Sequence, residues 1–276
     1  MTLKPQHVPL IVAHRGASAL APENTLSSFR RAVEIGADGV EFDVRLAKDG
    51  VPVVIHDANL LRTGRREEKV ADLTSAELAK VDVGSWFNRA YKKRASNDFA
   101  ADTVPTLEAV LEELRGFRGL IFIELKCRDA EVEALCRAVC SVITPSPLLP
   151  QIIVKSFKLS VIPNMRFRCP GVKTAALFAP KVMRFLRKEK HLVRIASELG
   201  ADHISVHRSL VTRKFMKKVA KTNLSVTVWT ADNPRWVKKA LELGVATVIT
   251  NNPAKLLAKR QEIMRKANAQ ATQINL

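Results

Sequence analysis

An alternation constrains this chain more than any other feature. Eight short apolar runs recur along it, and amphipathic helical patterns separate most of them. The runs are LIVAH (10–14), GVEFDV (39–44), LIFIEL (120–125), QIIVKS (151–156), KTAALF (173–178), DHISVH (202–207), SVTVWT (225–230) and ATVIT (246–250). Between the first two, TLSSFRRAVEIGA places Leu26, Phe29, Ala32 and Val33 on one helical face. TLEAVLEELRG, EVEALCRAVCSVI, HLVRIASELGA, RKFMKKVAKTN and NPRWVKKALELGV follow the same rule, and several helices stop at a glycine: Gly36, Gly116, Gly200 and Gly244. Strands that alternate with helices imply a parallel sheet. Eight such units in 276 residues favour a closed (β/α)8 barrel over a doubly wound open sheet.

One segment breaks the alternation. VPVVIHD (51–57) reads as a strand, yet only AKDG separates it from the EFDVRL run. A parallel crossover needs about a dozen residues, so this segment is a hairpin with its turn near Asp49-Gly50. Folding at that turn brings His56 back beside Glu41 to Asp43. Residues 58–105 are polar, irregular and rich in charge, and read as an insertion or lid after the hairpin. The chain is therefore read as a single domain over 1–276, with a core at about 10–258 and a basic tail at about 259–276 that ends in a fraying helix.

Composition limits the remaining possibilities. Hydrophobic residues make up 47% of the chain and are spread along it, which argues against long disorder, while 5% aromatic content leaves the core to aliphatic side chains. The formal charge of +18 suggests an anionic partner such as a phosphate ester, nucleic acid or acidic membrane, set against a plainly solvated basic surface. Cys127, Cys136, Cys140 and Cys169 form no C-x-x-C pair, so a structural zinc site is not expected. LIVA is too short for the core of a signal peptide, and no run approaches the roughly 20 residues of a membrane span. A soluble cytoplasmic protein is the default expectation.

In a parallel barrel, the loops after the strand C-terminal ends build the site. The polar residues there are His14-Arg15, Glu41 and Asp43, Glu124 and Lys126, Lys155-Ser156-Phe157, Trp229-Thr230 and Thr250-Asn251-Asn252. Glu41 and Asp43 are two apart and share a face, as do Glu124 and Lys126. Three converging carboxylates repel one another, and one divalent cation, Mg²⁺ or Ca²⁺, would relieve them; hard oxygen donors do not favour zinc. Arg15 and Lys126 beside that cation would form a clamp for a phosphodiester. His14 and His56 suit general acid–base work because histidine titrates near neutral pH. His7, His191, His203 and His207 lack such company and are read as structural or surface residues. Pro22-Glu23-Asn24-Thr25 reads as the start of a helix near Thr25.

On these residues the chain resembles a glycerophosphodiester phosphodiesterase. The resemblance runs from His14 to about Pro253 and rests on AHRGASALAPENT, GADGVEFDVRLAKDGVPVVIHD, VPTLEAVL, IELK, KSF, TVWTADN and VITNNP, in that order. It implies a (β/α)8 TIM barrel of the phosphatidylinositol-phospholipase-C-like type, and hydrolysis of a small glycerophosphodiester to sn-glycerol 3-phosphate and an alcohol. It matches Glu41, Asp43 and Glu124 to metal ligands, His14 and His56 to the acid–base pair, and Arg15 and Lys126 to phosphate-binding cations. Phe157 and Trp229 match apolar residues near the glycerol or alcohol pocket, with core filling as their competing role. The chain departs from the family at Asn251, where an aspartate often follows the threonine.

Two other functions compete. A phospholipase D acting on lysophospholipids would use the same site, but residues 58–105 carry little contiguous apolar surface for a lipid tail. A catalytically silent basic barrel would bind acidic lipid or nucleic acid. Every expected catalytic position is filled, and a single tyrosine with no reading module makes nucleic acid an unexpected partner. The basic segments RFLRKEKHLVR and RKFMKKVAK could rest peripherally on an anionic membrane, though a solvated outer face is the simpler reading. Oligomeric state is not legible.

Overall fold

The computed structural model describes residues 8–183 and 188–274. Nine strands form one sheet: β1 (Leu10–His14), β2 (Gly39–Leu46), β3 (Pro52–Val54), β4 (Leu120–Leu125), β5 (Ile152–Ser156), β6 (Lys173–Phe178), β7 (His203–His207), β8 (Ser225–Trp229) and β9 (Thr247–Thr250). All but β3 are parallel to their neighbours, and β1 pairs with both β2 and β9, so eight strands close into a barrel. β3 is the hairpin return, antiparallel to β2, with Val44 opposite Val54. Its strand is shorter than the seven residues of the apolar run, because beyond Val54 the chain leaves the ladder after one further bond, from Ile55 N–H to the Asp43 carbonyl. Gly50 takes φ +77° at the turn, a left-handed conformation that glycine adopts without steric cost.

Among the described residues, eight outer helices follow the barrel strands: α1 (Leu26–Glu34), α2 (Leu107–Glu113), α3 (Val132–Ile143), α4 (Val161–Arg168), α5 (Glu189–Glu198), α6 (Arg213–Val219), α7 (Arg235–Leu243) and α8 (Pro253–Ile274). α1 starts where expected, with Thr25 as its N-cap in a reciprocal capping box with Ser28. α4 has no counterpart in the sequence reading. Pro163 lies in its first turn, where a missing N–H costs nothing. Phe167 points outward at 83% exposure and spoils the helical apolar pattern, although Val161, Ile162 and Met165 do face the core.

Strand alternation divides the core in two. Outward side chains such as Val40, Phe42, Ile204 and Val228 pack beneath the helices, while Val12, Phe122, Ile153, Ala175 and Ile249 fill the lumen. Cys136 and Cys140 are buried core residues on α3, and all four cysteines are free thiols. The insertion is not bare loop. Short helices at Leu61–Gly64, Ser75–Leu78 and Ser85–Ala90 bury Leu60, Val70, Leu78, Val81 and Val83 in a small core with Val53 and Ile55 of the hairpin. Most of its aliphatic groups are thus spent on its own folding, while Leu61 and Tyr91 stay exposed.

At the opposite edge, Arg260 of α8 closes the seam. Its guanidinium pairs with both oxygens of the Asp38 carboxylate and donates to the Pro9 carbonyl at 3.2 Å, while Asp38 Oδ2 also accepts from Ile11 N–H at 2.6 Å. No helix among the described residues is long and apolar enough to cross a membrane. His7 and residues 184–187 of the basic RFLRKEKHLVR segment lie outside the described residues.

His203 opens β7 and faces the lumen, its ring edge-on to Phe122 at 6.1 Å and its Nδ1 without a partner. Burial pushes its pKa from 6.5 down to about 4, against the pull of Asp202. Between those values the unfolded chain binds the proton and the folded chain does not, so stability is intact above pH 6.5 and falls as the pH drops toward about 4. Urea unfolding across that interval should show a loss on the order of 1–3 kcal/mol attributable to this group. His203→Leu should remove that part of the slope.

Candidate active site

The inward positions at the strand C-terminal ends gather one polar constellation. β2 contributes Glu41 and Asp43, β4 contributes Glu124, and the three are 0%, 1% and 5% exposed. Register sets Asp43 beside Glu124 on adjacent strands, and one ligand oxygen from each of the three acids lies within 4.8 Å of the others. Left alone, three buried carboxylates this close would not all ionise.

Three cations answer them. Lys155 of β5, itself 2% exposed, sets Nζ 2.7 Å from Glu41 Oε1 and 3.5 Å from Glu124 Oε2. Lys126 lies 3.2 Å from Asp43 Oδ1 and also contacts Glu124 Oε1. Arg15 places Nε 3.1 Å from Asp43 Oδ2 and donates its backbone N–H to Glu41 Oε2 at 3.2 Å. Burial by itself would raise the Asp43 pKa; Lys126 and Arg15, with His56 and His14, outweigh it and hold the carboxyl well below the usual carboxylate range. Glu41 is lowered in the same way, burial being overcome chiefly by Lys155 and then His14. Lys126 is the mirror case: burial lowers it, but Asp43 and Glu124 raise it further, so it stays charged.

The loop after β1 is bent to serve this cluster. Arg15 and Asn24 adopt left-handed φ of 55° and 59°, at about 1–2 kcal/mol each for residues with a Cβ. Asn24 recovers part of that cost by donating Nδ2–H to Asp43 Oδ2 at 3.0 Å and accepting from Asp43 N–H at 3.3 Å. Gly16, at φ +74°, donates to the Glu41 carbonyl and lies tight against Ser28.

Each candidate histidine is oriented through Nδ1. The His14 ring nitrogen lies 2.6 Å from Asn251 Oδ1, and Asn251 Nδ2–H donates to Asp232 Oδ2 at 2.8 Å. A carboxylate only accepts, so Asp232 fixes the amide with its oxygen toward His14; Nδ1 then carries the proton and Nε2 is the free nitrogen. That Nε2 lies 3.8 Å from Glu41 Oε2. The neutral Asn251 therefore has a defined partner on each side. His56 Nδ1 lies 2.6 Å from Asp57 Oδ1, again leaving Nε2 free. Burial lowers the His56 pKa, with Arg15 and Lys126 adding to burial and Asp43 opposing it.

Above the cluster stand two aromatics. Phe157, 43% exposed, meets Trp229 edge-to-face at 5.5 Å, and Lys126 Nζ lies 5.8 Å over the Phe157 ring. Trp229 also contacts His207 at 5.4 Å. An exposed Phe157 at the rim is no core filler.

All nine residues singled out from the sequence thus lie at one end of one barrel. Sequence reasoning missed Lys155 as a member of the cluster, the Asn251–Asp232 support, and the carboxylates Glu23 and Asp57, which pair with Arg15 at 2.8 Å and His56 at 2.6 Å. Lys155 was within reach: it is two residues past the lumen-facing Ile153 on the same strand.

The orphaned oxygens test the fit of a metal. Glu41 Oε1, Asp43 Oδ1 and Glu124 Oε1 are buried and receive no well-aligned hydrogen bond despite the lysines nearby. Buried oxygens left so are rare in folded proteins, and three hard carboxylate donors suit a divalent cation. The cluster could hold a metal ion.

The sequence profile of the glycerophosphoryl diester phosphodiesterase family matches residues 14–255. The chain belongs to that family. Among its relatives, the Bacillus subtilis protein YhdW is 33% identical over 88% of this chain and 94% of its own length. A glycerophosphodiester phosphodiesterase of the same organism is 31% identical over 91% of this chain and 86% of its own. The solved glycerophosphodiester phosphodiesterase of Agrobacterium tumefaciens is 26% identical with a TM-score of 0.73, covering 91% of this chain and 99% of its own. The family assignment agrees with the eight-stranded barrel.

The turn at Gly16 gives a direct check on how the site is built. A Cβ there would fall 2.3 Å from Ser28 Oγ and 2.6 Å from the Ser28 backbone carbon, on a backbone with φ +74°. Gly16→Ala should destabilise the protein by more than about 1 kcal/mol in denaturant unfolding, and the same change at Gly116, where nothing lies within 4 Å, should cost less.

Proposed function

We propose that this protein hydrolyses glycerophosphodiesters to sn-glycerol 3-phosphate and an alcohol. The observation that carries the reading is the conjunction, at one barrel mouth, of three buried carboxylates, a guanidinium and an ammonium facing them, and two histidines with free Nε2 atoms. Family membership supports it.

Glu41, Asp43 and Glu124 would hold one divalent cation, Mg²⁺ or Ca²⁺, which when bound supplies positive charge for a phosphate oxygen. Arg15 and Lys126 bind and orient the phosphodiester; the Arg15 fork suits two of its oxygens and Lys126 adds a point charge. His14 and His56 form the acid–base pair through Nε2. One takes the proton of the nucleophile, which is water or the glycerol hydroxyl of the substrate itself, and the other gives a proton to the departing alkoxide. The second route passes through a cyclic phosphate that water then opens. Phe157 and Trp229 form an apolar wall beside the phosphate clamp, where the alcohol or glycerol portion packs. The lysophospholipid reading is weaker, since most aliphatic side chains of the insertion are packed into its own core, and Leu61 and Tyr91 are the large apolar groups it leaves exposed.

The first test is release of glycerol 3-phosphate from glycerophosphocholine and glycerophosphoethanolamine, with Mg²⁺, with Ca²⁺ and with EDTA. Metal-dependent release abolished by EDTA is expected. No release from either diester, with release of choline from lysophosphatidylcholine, would replace this reading with the lysolipid one. In the active assay, His14→Ala and His56→Ala should each lower turnover by roughly 10²–10⁴-fold. Either variant retaining near wild-type turnover would remove that histidine from the scheme. Asp43→Asn should in addition abolish the rise in melting temperature that the wild-type protein shows on adding the activating cation.

A further inference from the structure

Arg62 lies in the insertion, outside the constellation described above, yet it touches the support of two of its members. Its Nε donates to Asp57 Oδ2 at 2.7 Å, its Nη1 to Glu23 Oε2 at 2.9 Å and its Nη2 to Glu23 Oε1 at 2.7 Å. The other oxygen of Asp57 engages His56 Nδ1 at 2.6 Å, and Glu23 Oε1 also accepts from Arg15 Nη1 at 2.8 Å. One guanidinium therefore joins two carboxylates, and each carboxylate orients a different member of the site. The side chain is 43% exposed and lies 5.8 Å from the Trp86 ring, so the insertion presents it without burying it.

Resting on the function proposed above, we infer that Arg62 is a positioning residue. It sets the distance and angle between the phosphate-binding Arg15 and the proton-transferring His56. The reasoning is geometric. β1 and the hairpin strand both pair with β2, which places the two backbones, but Arg15 and His56 lie past the ends of those strands and no ladder bond orients either side chain. Glu23 and Asp57 carry like charge and would part if left without the cation between them. The planar fork of arginine satisfies Glu23 with two parallel bonds and keeps Nε for Asp57; lysine, a point charge with one nitrogen, cannot hold both in these places. The insertion acts here as a brace built from its first helical turn.

The test is steady-state kinetics of Arg62→Ala and Arg62→Lys on whichever glycerophosphodiester the wild-type protein hydrolyses, with and without millimolar guanidinium. For Arg62→Ala, kcat should fall roughly 10- to 100-fold, the range for loss of a group that orients a reacting side chain. KM should change little, because Arg15 and Lys126 remain to bind phosphate. Guanidinium should restore part of the turnover of Arg62→Ala and leave the wild type unaffected. Arg62→Lys, which keeps a charge and guards against misfolding of the alanine variant, should be impaired in kcat and unresponsive to guanidinium. A kcat within about threefold of wild type for Arg62→Ala, or an equal loss that guanidinium leaves untouched, would overturn the positioning role while leaving the proposed function standing. A wild-type protein inactive on glycerophosphodiesters would overturn the function itself, and this inference with it.

Discussion

Charge balance inside the barrel mouth is the constraint on which the site depends. Glu41, Asp43 and Glu124 are almost wholly buried, and carboxylates so placed survive as anions only if positive charge is close. Lys155, Lys126 and Arg15 supply it from three different strands or strand ends. The barrel geometry is what makes this possible, since parallel register brings Asp43, Glu124 and Lys155 side by side across β2, β4 and β5. The charges of such a site are fixed in place by the fold, so little rearrangement is left for an anionic ligand to induce.

Much of this was legible in the sequence because the strands are continuous apolar runs. All eight barrel strands fall within a residue or two of the apolar segments, and the hairpin was recoverable from the shortness of the AKDG link. α4 was not legible. Pro163 and the outward Phe167 mask a helix whose buried face is only Val161, Ile162 and Met165. The carboxylates of the site were found by the two-residue period of a strand, which aims Glu41 and Asp43 the same way. Apart from Asp57, which directly follows His56, the supports were hidden because they depend on proximity that only folding creates. Arg62 meets Glu23 across 39 positions of sequence, and Asp232 meets Asn251 across 19. Neither spacing follows a local period.

The insertion changes meaning once its packing is known. From composition it reads as a polar lid, rich in lysine and arginine. Folded, it has a small core of its own and is anchored to the hairpin through Val53 and Ile55. It also reaches the loop after β1, where Arg94 donates to the Ala19 carbonyl at 2.5 Å. These contacts make it a fixed wall of the site.

The clasp made by Arg260 bears on when this chain can fold. Closing the barrel requires β9 to pair with β1, and the helix that follows β9 carries the arginine that grips Asp38 and the Pro9 carbonyl beside the first strand. The two strands that meet at the seam are far apart in sequence, Leu10 lying opposite Thr247. During synthesis, the β9-facing edge of β1 stays unpaired until β9 has left the ribosome. A chain cut between β9 and α8 would keep both strands of the seam but lose the Arg260 bonds to Asp38 and the Pro9 carbonyl, so the barrel would close without its clasp.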